Sequence, residues 1–144
     1  MHVVDPDEDD PRFREAIDAL GRGRFEEAFA LVQAMADEGL PLAIHFLGWL
    51  HHKGLGTPPD DRLAVRCWQE AARSGIAGSM QGLGWAYETG RGVEADLIRA
   101  YAWYQCAVRH GDDSAREFLL ELAPRLTPEQ ILEAESLTMC NDRT

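Results

Sequence analysis

One stretch of this chain is written twice. Leu47-Gly48-Trp49-Leu50-His51-His52-Lys53-Gly54-Leu55-Gly56 returns 36 positions later as Leu83-Gly84-Trp85-Ala86-Tyr87-Glu88-Thr89-Gly90-Arg91-Gly92. The register persists beyond the glycines: Asp60 matches Asp96, Ala64 matches Ala100, Trp68 matches Tyr104, Ala71 matches Ala107, and Gly75 matches Gly111. A period of roughly 20–50 residues belongs to stacked arrays, in which no unit buries its apolar face alone and each must pack on its neighbours. This constraint predicts an elongated stack of repeated units rather than a closed domain.

Each unit resolves into two helices. From Ala43, the apolar positions Leu47 and Leu50 and the ring of His51 recur at helical spacing. Gly54 and Gly56 then end the helix, since glycine takes the left-handed backbone a C-terminal cap requires. Asp60 and Asp61 follow Pro58 and Pro59 and start the second helix, which presents Ala64, Cys67, Trp68, Ala71 and Ala72 and stops at Gly75. The second unit repeats the plan through Asp96, Ala100, Trp103, Tyr104, Ala107 and Gly111. Gly48 and Gly84 fall inside helices, where glycine costs ~1 kcal/mol against alanine, and close approach of the partner helix is the expected compensation.

The pattern A-x-x-x-L-G-x-x-Y-x-x-G-x-G-x-x-x-D-x-x-x-A-x-x-W-x-x-x-A-A-x-x-G resembles the SEL-one-like repeat, a relative of the tetratricopeptide repeat. Residues 79–111 carry it in Leu83, Gly84, Tyr87, Gly90, Gly92, Asp96, Ala100, Trp103, Ala107 and Gly111. Residues 43–75 depart at His51, where the family has tyrosine, and at Cys67, where it has tryptophan. The signature residues Leu47, Gly48, Gly54, Gly56, Ala64, Leu83, Gly84, Tyr87, Gly90, Gly92, Ala100 and Trp103 are read as structural. The resemblance implies an all-α, right-handed α-solenoid of antiparallel helix pairs, with a concave surface lined by first helices.

The flanks are weaker copies. Residues 12–39 place Ala28, Ala36 and Gly39 in register ahead of Ala64, Ala72 and Gly75, with a short first helix and the compressed turn Gly21-Arg22-Gly23-Arg24. Capping helices are expected over 112–123 and over 127–137, the latter started by Thr127 and Pro128. Residues 1–11 hold Asp5, Asp7, Glu8, Asp9 and Asp10 with no Lys or Arg before Arg12. They read as an acidic flexible arm, either a solvated terminus or a contact for a basic partner. Residues 138–144 read as a tail.

Composition bears mainly on partners and chemistry. The formal charge of -11 argues against nucleic acid. No apolar run is long enough for a membrane span, and the first residues lack the basic and apolar regions of a signal peptide. Cys67, Cys106 and Cys140 are too widely spaced for a metal knuckle or a disulfide framework, and no unit holds two. Free, mostly buried thiols and a cytoplasmic location are therefore expected.

No serine precedes the single lysine, Lys53, by three positions, and HExxH, Gly-x-Ser-x-Gly and phosphate-loop signatures are missing. His45 and His52 are too far apart along one helix to share a metal, with no acid cluster beside them. No catalytic residue, metal or cofactor is expected. The two histidines read instead as surface groups able to titrate near neutral pH.

The face of the first helices not used for packing carries His45, Trp49, His52 and Lys53 in one unit and Gln81, Trp85, Glu88 and Thr89 in the next. Trp49 and Trp85 stand at equivalent positions as an aromatic ladder, which is either part of the core between units or an anchor for a partner. The resemblance implies that this concave face takes a segment of another protein. The expected function is a non-enzymatic interaction module, a monomer or weak homodimer, acting as adaptor, scaffold or regulator. The alternatives are an immunity-type protein that neutralises a toxin or effector and, less well supported by the residues, a hydrolase of cell-wall-like amides.

Overall fold

The computed structural model describes residues 10–137 of the 144-residue chain. Within them lie eight α-helices: α1 (Pro11–Gly21), α2 (Phe25–Asp37), α3 (Pro41–Lys53), α4 (Asp61–Arg73), α5 (Ala77–Thr89), α6 (Leu97–Arg109), α7 (Ala115–Leu122) and α8 (Pro128–Ser136). A 3₁₀ turn, Ala123–Arg125, joins the last two, and there is no strand among the described residues. The fold is an all-α helical-repeat solenoid.

The helix starts are set by short polar side chains that satisfy the first free N–H groups. Asp60 accepts from the Leu63 N–H at 3.1 Å, and Asp96 accepts from the Ile98 and Arg99 N–H groups, each at 3.1 Å. At α8, Thr127 Oγ1 accepts from the Gln130 N–H while Gln130 Oε1 accepts from the Thr127 N–H, a reciprocal capping box. The first capping helix begins later than the pattern suggests, at Ala115, because residues 112–114 form the turn that leads into it.

Asp10 and Pro11 belong to the solenoid: the Asp10 carboxylate accepts from the Arg12 N–H at 2.9 Å and Pro11 opens α1. Arg12 joins Asp10 to Glu38 beyond α2, at 2.6 Å to each carboxylate. These guanidinium contacts hold Asp10 down to about 2 and also lower Glu38. The rest of the arm, and the tail 138–144 with Cys140, lie outside the described residues.

Each helix packs on its chain neighbours from α1 through α7, and α8 folds back on α6. The core is accordingly distributed in three clusters along the stack. Phe13, Val32, Met35 and Leu47 anchor the first, Trp68, Met80 and Leu83 the middle one, and Tyr104, Leu122 and Leu126 the last.

The interior glycines admit large rings. A Cβ at Gly48 would meet Trp68 Nε1 at 2.5 Å, and one at Gly84 would meet Tyr104 Cδ1 at 2.6 Å. Trp68 is also approached from the next unit, where a Cβ on Gly82 would lie 3.0 Å from its Cδ2. Among the described residues its indole N–H has no hydrogen-bond partner. The two turn glycines have separate tasks. Gly54 and Gly90 take the left-handed conformation, with φ of 70° and 75°, and close α3 and α5. Gly56 and Gly92 are left-handed too, each at φ 78°, and also seat each loop on the second helix of the preceding unit, where a Cβ would strike the carbonyl oxygens of Phe25 and Asp61 respectively. Their role is thus contact between units as well as turning.

His51 takes the place of the family's tyrosine as a buried ring, edge-on to Phe29 with centroids 5.5 Å apart. Cys67 is free and partly buried beside the first cluster. Cys106, on α6, is disulfide-bonded, which corrects the expectation of free thiols throughout. Spacing along the chain limits pairing within one unit, but it sets no limit on which cysteines a folded stack brings together.

Candidate binding site on the first-helix face

The equivalent positions of α3 and α5 put Trp49 and Trp85 on neighbouring units, and His52 stands between them. Its ring centroid is 5.7 Å from Trp49 and 4.8 Å from Trp85, edge-on to both. The aromatic ladder therefore has three rungs. Both tryptophans also pack against the middle core cluster, so they serve as core on one side and as surface on the other. Trp49 meets Trp68 with centroids 5.1 Å apart.

Two hollows open beside Trp49. The first has a volume of about 280 Å³ and is lined by Trp49, His52, Gln81, Gly82, Trp85, Tyr104 and Phe118. The second, about 180 Å³, lies between α1 and α3, with Ile17, Phe46, Trp49 and Lys53 among its walls. Ile17, Phe46 and Phe118 are exposed large apolar side chains, at 62%, 37% and 38%. An apolar strip thus runs across α1, α3, α5 and α7 with Trp49 near its middle.

The eight residues predicted for this face divide into three groups. Trp49, His52, Gln81 and Trp85 converge on the larger hollow, and Lys53 lines the smaller one. His45 belongs to the joint between units: its Nδ1 lies 2.8 Å from the buried Ser79 Oγ, and its ring fills the space left by Gly78. Burial pushes its pKa down to about 4, so it does not titrate near neutral pH as the sequence suggested. Glu88 is also occupied internally. It accepts from the Tyr104 hydroxyl at 2.7 Å and from Arg125 at 2.9 Å, tying α5 to α6 and to the 3₁₀ turn. Thr89 donates to the Trp85 carbonyl at 2.8 Å and lines neither hollow.

Sequence reasoning missed four contributors. Asp61 lies beside His52, with its Oδ1 2.7 Å from Nδ1, a single carboxylate brought in from the start of α4. Arg91 approaches Asp61 at 3.9 Å and places its guanidinium carbon 5.9 Å from the centre of the Trp85 ring. Tyr104 and Phe118 close the larger hollow as a stacked pair, 5.3 Å apart and inclined by 13°. The 36-residue register carried a signal for Arg91, since it follows Gly90 in the repeated loop; Phe118 lies past Gly111, where the register ends.

Among the described residues no three His, Cys, Asp or Glu side chains gather as metal ligands. Nor is any helix among them long and apolar enough to cross a membrane.

Comparison with known proteins places this arrangement. The Sel1 repeat family model matches residues 41–76 and 77–112, the two units whose first helices carry Trp49 and Trp85. A solved structure of a protective antigen present in uropathogenic Escherichia coli strains, displaying an SLR fold, superposes with a TM-score of 0.82 at 23% identity, covering 93% of this chain and 30% of that one. A Sel1 repeat protein from Oxalobacter formigenes superposes with a TM-score of 0.63 at 32% identity, covering 65% of this chain and 38% of that one. The chain thus spans well under half the length of either structure. No curated protein matches the sequence significantly. With two matched repeats making up half of its length, the chain belongs to the Sel1 repeat family.

Proposed function

We propose that this chain is a non-enzymatic adaptor or regulator that holds a segment of another protein along the first-helix face. The Sel1 repeat fold typically mediates protein–protein interaction. The observation that carries the reading for this chain is Trp49, shared by two adjacent hollows and flanked by the exposed rings of Phe46 and Phe118. Rigid aromatic anchors beside unfilled apolar hollows are what interface hot spots are built from. The polar groups nearest the face are engaged within the protein: Glu88 holds Tyr104 and Arg125, and Asp61 holds His52.

Photocrosslinking tests the face. Benzoylphenylalanine at position 46 or 118 is expected to trap a partner in native lysate, and the same group at Leu63 on α4 or Leu132 on α8 is not. Equal trapping at all four positions would contradict the reading.

For location, the free-thiol argument for the cytoplasm applies, among the described residues, to Cys67 alone. The disulfide at Cys106 is of the kind that persists in oxidising compartments. Fractionation of cells producing the full-length protein decides between the two.

A further inference from the structure

The larger hollow beside Trp49 has unusual chemistry for an apolar groove. Its walls are aromatic, contributed by Trp49, Trp85, Tyr104 and Phe118. Two polar side chains also face it, and their internal hydrogen bonds determine what they have left to offer. The Ser114 hydroxyl donates to Asp112 Oδ1 at 2.5 Å, so its oxygen is free to accept from Gln81 Nε2 at 2.9 Å. This fixes the Gln81 amide with its NH₂ turned to Ser114, which takes one of its two N–H groups, and leaves the carbonyl Oε1 as an acceptor. The Asp61 carboxylate can only accept, so His52 Nδ1 carries the proton across their 2.7 Å contact. In the tautomer this selects, Nε2 is left as an acceptor. Gln81 and His52 thus both offer acceptors from a wall of aromatic rings.

We propose that this hollow receives the side chain of an arginine presented by the partner segment, its guanidinium lying on the aromatic rings and donating to Gln81 Oε1 and His52 Nε2. The proposal rests on the reading that the first-helix face binds a partner. A guanidinium is planar, has five N–H donors and no acceptor, and stacks on aromatic faces. A carboxylate would face the acceptors Gln81 Oε1 and His52 Nε2, with only the second N–H of Gln81 to donate to it, and a leucine would leave both acceptors unpaired. The Trp85 ring already associates with one guanidinium of its own chain, that of Arg91. At about 280 Å³ the hollow has room for one side chain. The formal charge of -11 draws a cationic segment toward the protein.

The test follows the indole N–H resonances of Trp49, Trp85, Trp68 and Trp103 while the whole protein is titrated at constant ionic strength. The probes are the N-acetyl amides of arginine, lysine, leucine and glutamate. The arginine derivative is expected to shift Trp49 and Trp85 saturably, to leave Trp68 and Trp103 in place, and to bind about fivefold more tightly than the leucine derivative. Gln81→Met is expected to erase most of the preference for arginine over lysine without changing Tm. Leucine or glutamate binding as tightly as arginine, a preference unchanged in Gln81→Met, or no saturable shift would each overturn the proposal. If crosslinking at Phe46 and Phe118 succeeds while arginine shows no preference, this inference fails alone; if crosslinking fails as well, the reading of the face fails with it.

Discussion

The indole of Trp68 occupies the space where a side chain on Gly48 would begin, with Nε1 only 2.5 Å from the position a Cβ would take. Tyr104 and Gly84 repeat the relationship one unit later, at 2.6 Å. The glycines inside these helices are therefore required by the rings of α4 and α6, which are 1% and 0% exposed.

This sets two effects against each other. Alanine is favoured over glycine within a helix by ~1 kcal/mol, so a purely local account expects Gly48→Ala and Gly84→Ala to stabilise. Overpacking a dense core costs ~1–3 kcal/mol, and contact below 3 Å with a buried ring makes that cost dominant. Both substitutions are expected to lower stability in urea denaturation, with Gly84→Leu worse than Gly84→Ala. A stabilised Gly48→Ala would show that the ring moves aside freely.

The buried histidines give a pH dependence of definite sign. Burial lowers the pKa of His45 to about 4, against about 6.5 when unfolded, and lowers that of His51 as well. Below pH 6.5 the unfolded chain takes up protons that the folded chain refuses, so stability is complete above that pH and falls as pH drops toward 4. The His45 shift amounts to roughly 3 kcal/mol across that window. The carboxylates held by Arg12 act in the same direction at lower pH, as the solution approaches the lowered value of Asp10. Equilibrium unfolding at pH 7, 5.5 and 4.5 is expected to show the decline, and His45→Gln to flatten it. Stability constant from pH 7 to 4.5 would contradict the burial of these rings.

Glu88 separates a structural role from a binding one. It satisfies the hydroxyl of Tyr104, a residue with no exposed surface, and pairs with Arg125. Removing the acceptor from a buried donor costs ~1–3 kcal/mol. Glu88→Ala is expected to destabilise by about that amount, whereas Thr89→Ala, at an exposed position, leaves stability nearly unchanged. Equal effects of the two in thermal unfolding would place Glu88 back on the open surface.

The cysteines differ in reactivity. Burial and the nearby Glu70 push the Cys67 thiol up to about 11, which leaves almost no thiolate at pH 8. Cys67 is expected to resist iodoacetamide at pH 8 until the protein is unfolded. Cys106 is expected to resist it even in urea until a reductant is added. Mass spectrometry of the alkylated peptides checks both, and rapid labelling of Cys106 in unreduced protein would contradict the disulfide.

The order of helices was legible because stacking makes the same demands on each unit, so Gly48 and Gly84, or Asp60 and Asp96, recur 36 residues apart. Trp49, His52, Gln81 and Trp85 were legible for the same reason, as helix-face positions fixed by the period. What one helix face cannot reveal is a partner on another element. His45 looks exposed until Ser79 is brought against it, and Glu88 looks free until Tyr104 and Arg125 reach it. Phe118 was out of reach because α7 lies beyond the last repeated glycine. The second task of Gly56 and Gly92 was hidden because spacing within a loop says nothing about which backbone the loop rests on.

The most direct test of the binding face is a paired pull-down from native lysate, using the wild-type protein and a Trp49→Ala/Trp85→Ala double variant whose helicity and cooperative unfolding match the wild type. The account predicts at least one protein retained by the wild type, lost from the double variant, and retained by Thr89→Ala. Identical sets retained by wild type and double variant would contradict it, since the aromatic ladder would then serve only the core.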